Sequence, residues 1–221
     1  MKYIILDLEM NAVPKDKTEI FNTCHMEIIE YGAVALNEKY EEVAQFSTYV
    51  KPRFNDVIEE RFVEMTGITT EMVQDAPEFE EAFGMFCRWC EGLQDEIEII
   101  TWSNNDEMQI RKEMKQKHYE MSDSEEKLLS VFRDFQRDFC NLLGLNRVIA
   151  LEKAIDLMGL DFQGKQHDAF HDARNTAEIF AICFDEKRDK SVLNRVKEAL
   201  HPKKVGVSLG DMIDFSQFIE N

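Results

Sequence analysis

Two acids, Asp7 and Glu9, follow the apolar run Tyr3-Ile4-Ile5-Leu6 near the start of the chain. Residues i and i+2 of a strand share a face, so both carboxylates project to one side and repel each other. A divalent cation relieves that repulsion, because hard cations take carboxylate oxygens. A strand end entering solvent with two exposed acids is the alternative. Asp106 comes after the apolar run 97–102 and the linker Ser103-Asn104-Asn105. It stands at a strand end and a helix start, where an acid is a third carboxylate for the same site or simply an N-cap. The last group is His167 and Asp172, in Gly164-Lys165-Gln166-His167-Asp168-Ala169-Phe170-His171-Asp172-Ala173-Arg174-Asn175. A helix face through Phe170, Ala173 and Ala177 packs on a sheet, which leaves Asp172 in the first turns beside the core-facing stripe. His167 precedes that helix and can swing over the same place. A cap at Asp168 plus a polar loop is the competing reading, and it leaves an acid beside the apolar face unexplained.

Bringing these groups together takes a sheet with helices over it. The patterning predicts strands over 3–8, 27–36 and 42–50, with a turn at Asn37-Glu38. A broken helix covers 58–75, interrupted at Thr66-Gly67. A clearer helix begins at Ala76-Pro77-Glu78 and carries Phe79, Phe83, Phe86 and Cys90 at helical spacing. A strand at 97–102, a polar helix at 106–117 and an amphipathic helix through Phe132, Phe135, Phe139 and Leu142 follow. Then come a helix over 148–159 ending before Gly159 and a long helix through Phe170, Ala173, Ala177, Phe180 and Phe184. Strands first, then alternating helices and strands, imply an α/β fold with a mixed sheet. The character changes near residue 186, which predicts a main domain over 1–186 and a C-terminal extension over 187–221, made of a basic helix and a tail.

Composition narrows the function. The 221 residues carry 26 Lys and Arg against 44 Asp and Glu, a net charge of −18, which repels nucleic acid at long range unless cations intervene. Residues 56–96 hold 12 acids and 2 bases, whereas 186–204 hold 7 bases and 3 acids. Five scattered cysteines suit reduced thiols better than a disulfide framework. Cys87-x-x-Cys90 lacks a second ligand pair for zinc. No signal-peptide pattern and no apolar run near the ~20 residues that span a bilayer is present, which predicts a soluble cytoplasmic protein with no membrane partner. The absence of a phosphate-binding glycine loop and of a nucleophile elbow excludes those two chemistries.

In chain order, Asp7-x-Glu9, Asp106 after Thr101-Trp102-Ser103-Asn104-Asn105, and His167-x-x-x-x-Asp172-Ala173 resemble the motifs of the DEDDh 3′–5′ exonuclease family. Thr66-Gly67-Ile68 resembles a segment between the first two motifs. Trp102 and Ala150-Leu151-Glu152-Lys153-Ala154 are most similar to the Eri-type exoribonucleases and the KapD sporulation-inhibitor branch. The resemblance covers 1–186. Ser103 and Asn105 depart from the Gly and Tyr usual in that branch, and Phe170-His171 from an aliphatic-acidic pair; no catalytic group is lost.

The resemblance implies a ribonuclease-H-like mixed sheet of about five strands flanked by helices. It implies two Mg²⁺ or Mn²⁺ ions about 3.5–4 Å apart, held by Asp7, Glu9, Asp106 and Asp172, with Asp106 acting partly through water. His167 is then the base for the attacking water, with His171 as its rival. Met10, Asn11 and Val13 match positions that hold the terminal nucleotide, and Ile68 supplies a second apolar wedge; ordinary packing is the alternative for Val13 and Ile68. The implied substrates are single-stranded RNA or DNA 3′ ends, RNA somewhat favoured, and the products nucleoside 5′-monophosphates. Two other readings stand beside this one. One is a proofreading-type exonuclease tethered to a polymerase through Ile213-Asp214-Phe215. The other is a non-catalytic module binding a partner through the acidic face 56–96. The sequence names no protein partner. Lys187, Arg188, Lys190, Arg195, Lys197, Lys203 and Lys204 either hold upstream phosphates or form a solvated helix face.

Overall fold

The computed structural model describes residues 1–200. Lys203, Lys204 and Ile213-Asp214-Phe215 lie outside the described residues. β1 (Lys2–Ala12) runs past the apolar segment through Asp7 and Glu9, and α1 (Thr18–Phe21) connects it to β2 (Met26–Leu36). Asn37 then turns the chain, its Oδ1 accepting the amides of Lys39 at 2.8 Å and Glu41 at 3.1 Å. β3 (Glu42–Tyr49) follows, then α2 (Glu60–Thr66), α3 (Thr70–Val73), α4 (Phe79–Gly92), β4 (Ile97–Thr101), α5 (Asn105–Gln116), α6 (Asp123–Leu129) and β5 (Phe132–Asp134). Four helices complete the described chain: α7 (Phe135–Leu143), α8 (Leu151–Met158), α9 (Ala169–Phe184) and α10 (Ser191–Leu200). The five strands form one mixed sheet in the order β3-β2-β1-β4-β5, with β1, β2 and β3 antiparallel and β4 and β5 parallel to β1.

Strand alternation sorts the core into two layers. Ile4, Leu6 and Leu8 face α4 and α5, meeting Phe79, Phe83, Phe86, Ile110 and Met114. Ile5 faces the opposite way, with Val34 and Ile100, toward Phe135 and Phe139 of α7, Ile155 of α8 and Ala173, Ala177 and Phe180 of α9. Continuing the period of two from Ile5 puts Asp7 and Glu9 on the α9 side. Gly32 of β2 lets α9 come close: a Cβ there would stand 2.1 Å from backbone atoms of Ala169 and Phe170.

The helix broken at Thr66-Gly67 is α2 and α3, with Gly67 closing α2 at φ 80°. Gly159 ends α8 in the same left-handed conformation. Phe132, expected on a helix with Phe135 and Phe139, instead belongs to β5, and the helix starts at Phe135 behind Asp134, whose Oδ1 accepts the Arg137 amide at 3.2 Å. A three-residue parallel strand is too short to show an alternating signature. α6 was not legible as an apolar stripe; Ser122 and Glu125 start it with a reciprocal capping box. α10 puts Leu193 and Val196 into the core layer of α7, α8 and α9. Lys190 Nζ donates to the Ile182 and Cys183 carbonyls at 2.7 and 3.0 Å, closing the negative end of α9, and Arg188 pairs with Glu178. Those two members of the basic stretch hold α9 in place.

A buried lysine is paired with two buried acids beside β2. Lys117 Nζ lies 2.6 Å from Glu113 and 3.1 Å from Glu27, between the rings of Phe54 and Phe79. Burial disfavours its charge, but the two carboxylates outweigh that and raise its pKa. Glu27 also accepts the amides of Arg53, Phe54 and Asn55 at 2.8, 2.7 and 3.0 Å, and Asn55 Nδ2 donates to the Ala12 carbonyl. The end of β1 is thereby tied to the 53–55 turn. All five cysteines are buried free thiols. Burial pushes Cys24 up to about 11 and Cys87 and Cys183 up to about 12. Among the described residues no helix is long and apolar enough to cross a membrane.

Candidate active site

Three elements deliver the acids singled out in the sequence to one place. β1 presents Asp7, paired across β2 with Gly32, and Glu9, paired with Glu30; the register shifts just beyond, between Glu9 and Met10. β4 ends beside Leu6 of β1, and Trp102-Ser103-Asn104 leads into α5, whose first turn carries Asp106, only 6% exposed. The Asp106 carboxylate takes backbone hydrogen bonds from its own amide and from Leu8, between Asp7 and Glu9. α9 supplies Asp172. Its Oδ2 accepts the His167 amide at 3.2 Å, while its Oδ1 is buried without a hydrogen-bond partner.

His167 is exposed and holds a left-handed φ of 58°, a conformation that costs a non-glycine residue energy and often marks functional sites. Ligand atoms of Glu9, His167 and Asp172 all lie within 4.8 Å of one another. Asp7 and Asp106 stand outside that trio, and the charge of Asp106 raises both Asp7 and Glu9. The His171 Nδ1 is buried and lies 2.9 Å from Asp168 without a hydrogen bond, and its ring covers Gly164, where a Cβ would stand 2.1 Å from it. Asp168 also caps α9, accepting the His171 amide at 3.0 Å. Trp102 is a core residue, donating to the Ile149 carbonyl and meeting Phe135 edge-on.

The cluster is under electrostatic strain. Burial, then the charges of Asp172 and Glu30, push Glu9 up to about 8. Asp7 is raised well above the usual carboxylate range, by burial and then by Asp106 and Asp172. Burial drives Asp106 and Asp172 up to about 7, partly offset by the backbone hydrogen bonds they accept. Among the described residues no Lys or Arg forms an ion pair with any of the four. Oxygen donors with one imidazole, an unsatisfied buried Asp172 oxygen and mutual repulsion form a donor set that fits a divalent cation of the Mg²⁺ or Mn²⁺ type.

The residues matched to nucleotide binding sit differently. Asn11 is fully buried, with Nδ2 donating to the Val57 carbonyl at 3.0 Å and Oδ1 accepting the Glu59 amide at 3.2 Å. Val13 and Ile68 are buried, Ile68 in a small core with Ala12, Ile29, Ile58, Phe62 and Val73. Met10 alone of the four keeps a half-buried side chain. Glu30 escaped the sequence reading. It lies in the run Ile28-Ile29-Glu30-Tyr31-Gly32-Ala33, and an acid inside so apolar a strand is the signal that marks it as buried. Burial pushes it up to about 7, partly offset by a hydrogen bond from the Ala169 amide.

The chain is similar to known proteins in sequence and in fold. A family model described as RNase_T, exonuclease, matches residues 4–180. ERI1 exoribonuclease 2 of Xenopus laevis is 28% identical over 203 residues, which cover 81% of this chain and 28% of that protein. The chain thus spans little more than a quarter of that relative's length. The probable 3′-5′ exonuclease KapD of Bacillus subtilis (strain 168) is 26% identical over 196 residues, covering 88% of this chain and 85% of KapD. The crystal structure of the nuclease domain of 3′hExo, a DEDDh family member bound to rAMP, superposes with a TM-score of 0.71 at 19% identity, covering 84% of this chain and 92% of that one. The sheet flanked by helices is the fold of these exonucleases.

Proposed function

This chain belongs to the RNase_T exonuclease family, and on that premise we propose that it is a two-metal-dependent 3′–5′ exonuclease acting on single-stranded 3′ ends, RNA in preference to DNA. The observation that carries the proposal is the convergence of Asp7, Glu9, Asp106 and Asp172, from three elements, beneath an exposed His167. Asp7, Glu9 and Asp172 are assigned as direct ligands of the cations, and Asp106 as a ligand acting partly through water. Such ions supply Lewis-acid polarisation of the phosphodiester and a more acidic water. Hydrolysis forms a new P–O bond from water and breaks the terminal P–O3′ bond. A nucleoside 5′-monophosphate leaves, and the shortened strand keeps a new 3′-hydroxyl. His167, at the mouth of the cluster, takes the water's proton. His171, whose Nδ1 lies beside Asp168 without a hydrogen bond, is the alternative base.

The RNA preference is supported by the exoribonuclease named among the relatives and by the rAMP in the superposed structure. The net charge of −18 suits short single strands held at the site rather than a long duplex on a basic surface. The five free thiols suit a reducing, cytoplasmic setting. The division into a catalytic domain over 1–186 and an extension over 187–221 is retained in this reading, with α10 of the extension packed onto the domain. The test is digestion of end-labelled single-stranded RNA and DNA of equal sequence, with Mg²⁺, Mn²⁺ or chelator, beside an Asp7→Asn control. A metal-dependent ladder from the 3′ end, faster on RNA and absent in the control, is expected. No cleavage of either strand under any metal would leave a binding module, with the acidic face 56–96 as the place to seek a partner.

A further inference from the structure

Glu30 is a fifth acid at the site, itself buried at 5% exposure, and its geometry gives it a task distinct from the other four. It stands opposite Glu9 in the β1–β2 pairing. Its Oε2 accepts the amide of Ala169, the first residue of α9, at 3.1 Å. Gly32 lies two residues further along the same face of β2, and only its missing side chain leaves room for the backbone at Ala169 and Phe170. β2 therefore grips the start of α9 at two successive inward positions, one by a hydrogen bond and one by close approach. His167 lies two residues before that grip and Asp172 three residues after it. The Asp172 carboxylate and the His167 amide are themselves joined at 3.2 Å, so a shift of the helix start moves both.

We propose that Glu30 is a positioning residue: its carboxylate anchors the first amide of α9 to β2, and so sets Asp172 and His167 in register with Asp7 and Glu9. A neutral acceptor of the same shape should then serve almost as well as the carboxylate. The proposal rests on the exonuclease reading only for its kinetic readout.

The experiment compares Glu30→Gln and Glu30→Ala in the full chain. It measures exchange of the Ala169 amide by NMR, Mn²⁺ affinity by calorimetry, and kcat and KM on a single-stranded oligonucleotide. Glu30→Gln keeps an acceptor oxygen and should hold all of these within about threefold of wild type. Glu30→Ala should exchange Ala169 at least about tenfold faster, and should lose about 100-fold in kcat with KM little changed, the scale of an ångström's misplacement of catalytic groups. Should Glu30→Ala not fold, Glu30→Met fills the volume without an acceptor and carries the same expectations. Wild-type kcat and exchange in the Ala or Met variant overturns the proposal. So does a Glu30→Gln protein that keeps Ala169 protected but loses Mn²⁺, which would make Glu30 a metal ligand. The exchange arm needs no turnover. A wild-type chain that cleaves nothing therefore refutes the exonuclease reading, while Ala169 still decides the role of Glu30.

Discussion

Raising the pH should destabilise the metal-free protein, and a defined part of that loss should belong to Glu9. Its carboxyl is pushed from an ordinary 4.5 to about 8 in the folded state. The folded protein therefore keeps a proton that the unfolded chain gives up. With the folded value above the unfolded one, the contribution is fully present below about pH 4.5 and is lost as the pH climbs through about 8. One isolated group shifted that far would account for about 5 kcal/mol, at about 1.4 kcal/mol per unit. Asp7, Asp106 and Asp172 titrate with it and share protons, so between about pH 6 and pH 8 the part due to Glu9 is about 1–3 kcal/mol. In a chain of this size that corresponds to about 2–10 °C in Tm. The assay is thermal unfolding in chelator at low ionic strength, wild type beside Glu9→Gln. The wild type should lose more Tm over the interval than the variant, and Mn²⁺ at about 100 times its Kd should return about 2.7 kcal/mol to the wild type. An identical pH slope in the two proteins would refute the reasoning, because the overall charge of −18 would then explain it.

Three further outcomes follow from the geometry. Replacing His167 with Ala should lower kcat by about 10²–10⁴-fold, with Mn²⁺ affinity by calorimetry largely kept; near-normal turnover would remove it as the base. Gly32→Ala should cost about 3 kcal/mol or more in a denaturant melt, because the added methyl meets the Ala169 and Phe170 backbone rather than a movable side chain. A loss under about 0.5 kcal/mol would show that α9 can retreat freely. Lys117→Met should destabilise the fold by about 3–5 kcal/mol by leaving Glu27 and Glu113 without their cation, and a neutral result in a denaturant melt would mean that the two ion pairs contribute nothing net to the fold.

The acidic cluster is legible in the sequence because two short periods suffice to bring its members together. Alternation from Ile5 puts Asp7 and Glu9 on one face, and the stripe through Ala173 and Ala177 puts Asp172 beside it. The supporting parts were less visible. β5 is three residues long and takes its identity from pairing with β4, a non-local fact. Glu30 and Gly32 read as members of an ordinary apolar strand until α9, more than 130 residues later, is laid across them. Asn11 could be matched to a substrate position from the motif next to it. That both ends of its amide are spent on the 57–59 segment depends on a loop folding back, which local spacing does not encode.

The buried thiols give the molecule a built-in record of its own opening. Cys24 lies just before β2, donating to the Met26 carbonyl and accepting from Gln109 of α5; Cys87 and Cys90 lie on α4, against one face of the sheet; Cys140 and Cys183 lie on α7 and α9, against the other. Each is shielded and held as the unreactive thiol, so an alkylating reagent reaches it only when its own layer parts from the sheet. The order in which the five become labelled would read out which side of the sheet lets go first. If the α9 side leads, the half of the protein that carries Asp172 is also the half that breathes.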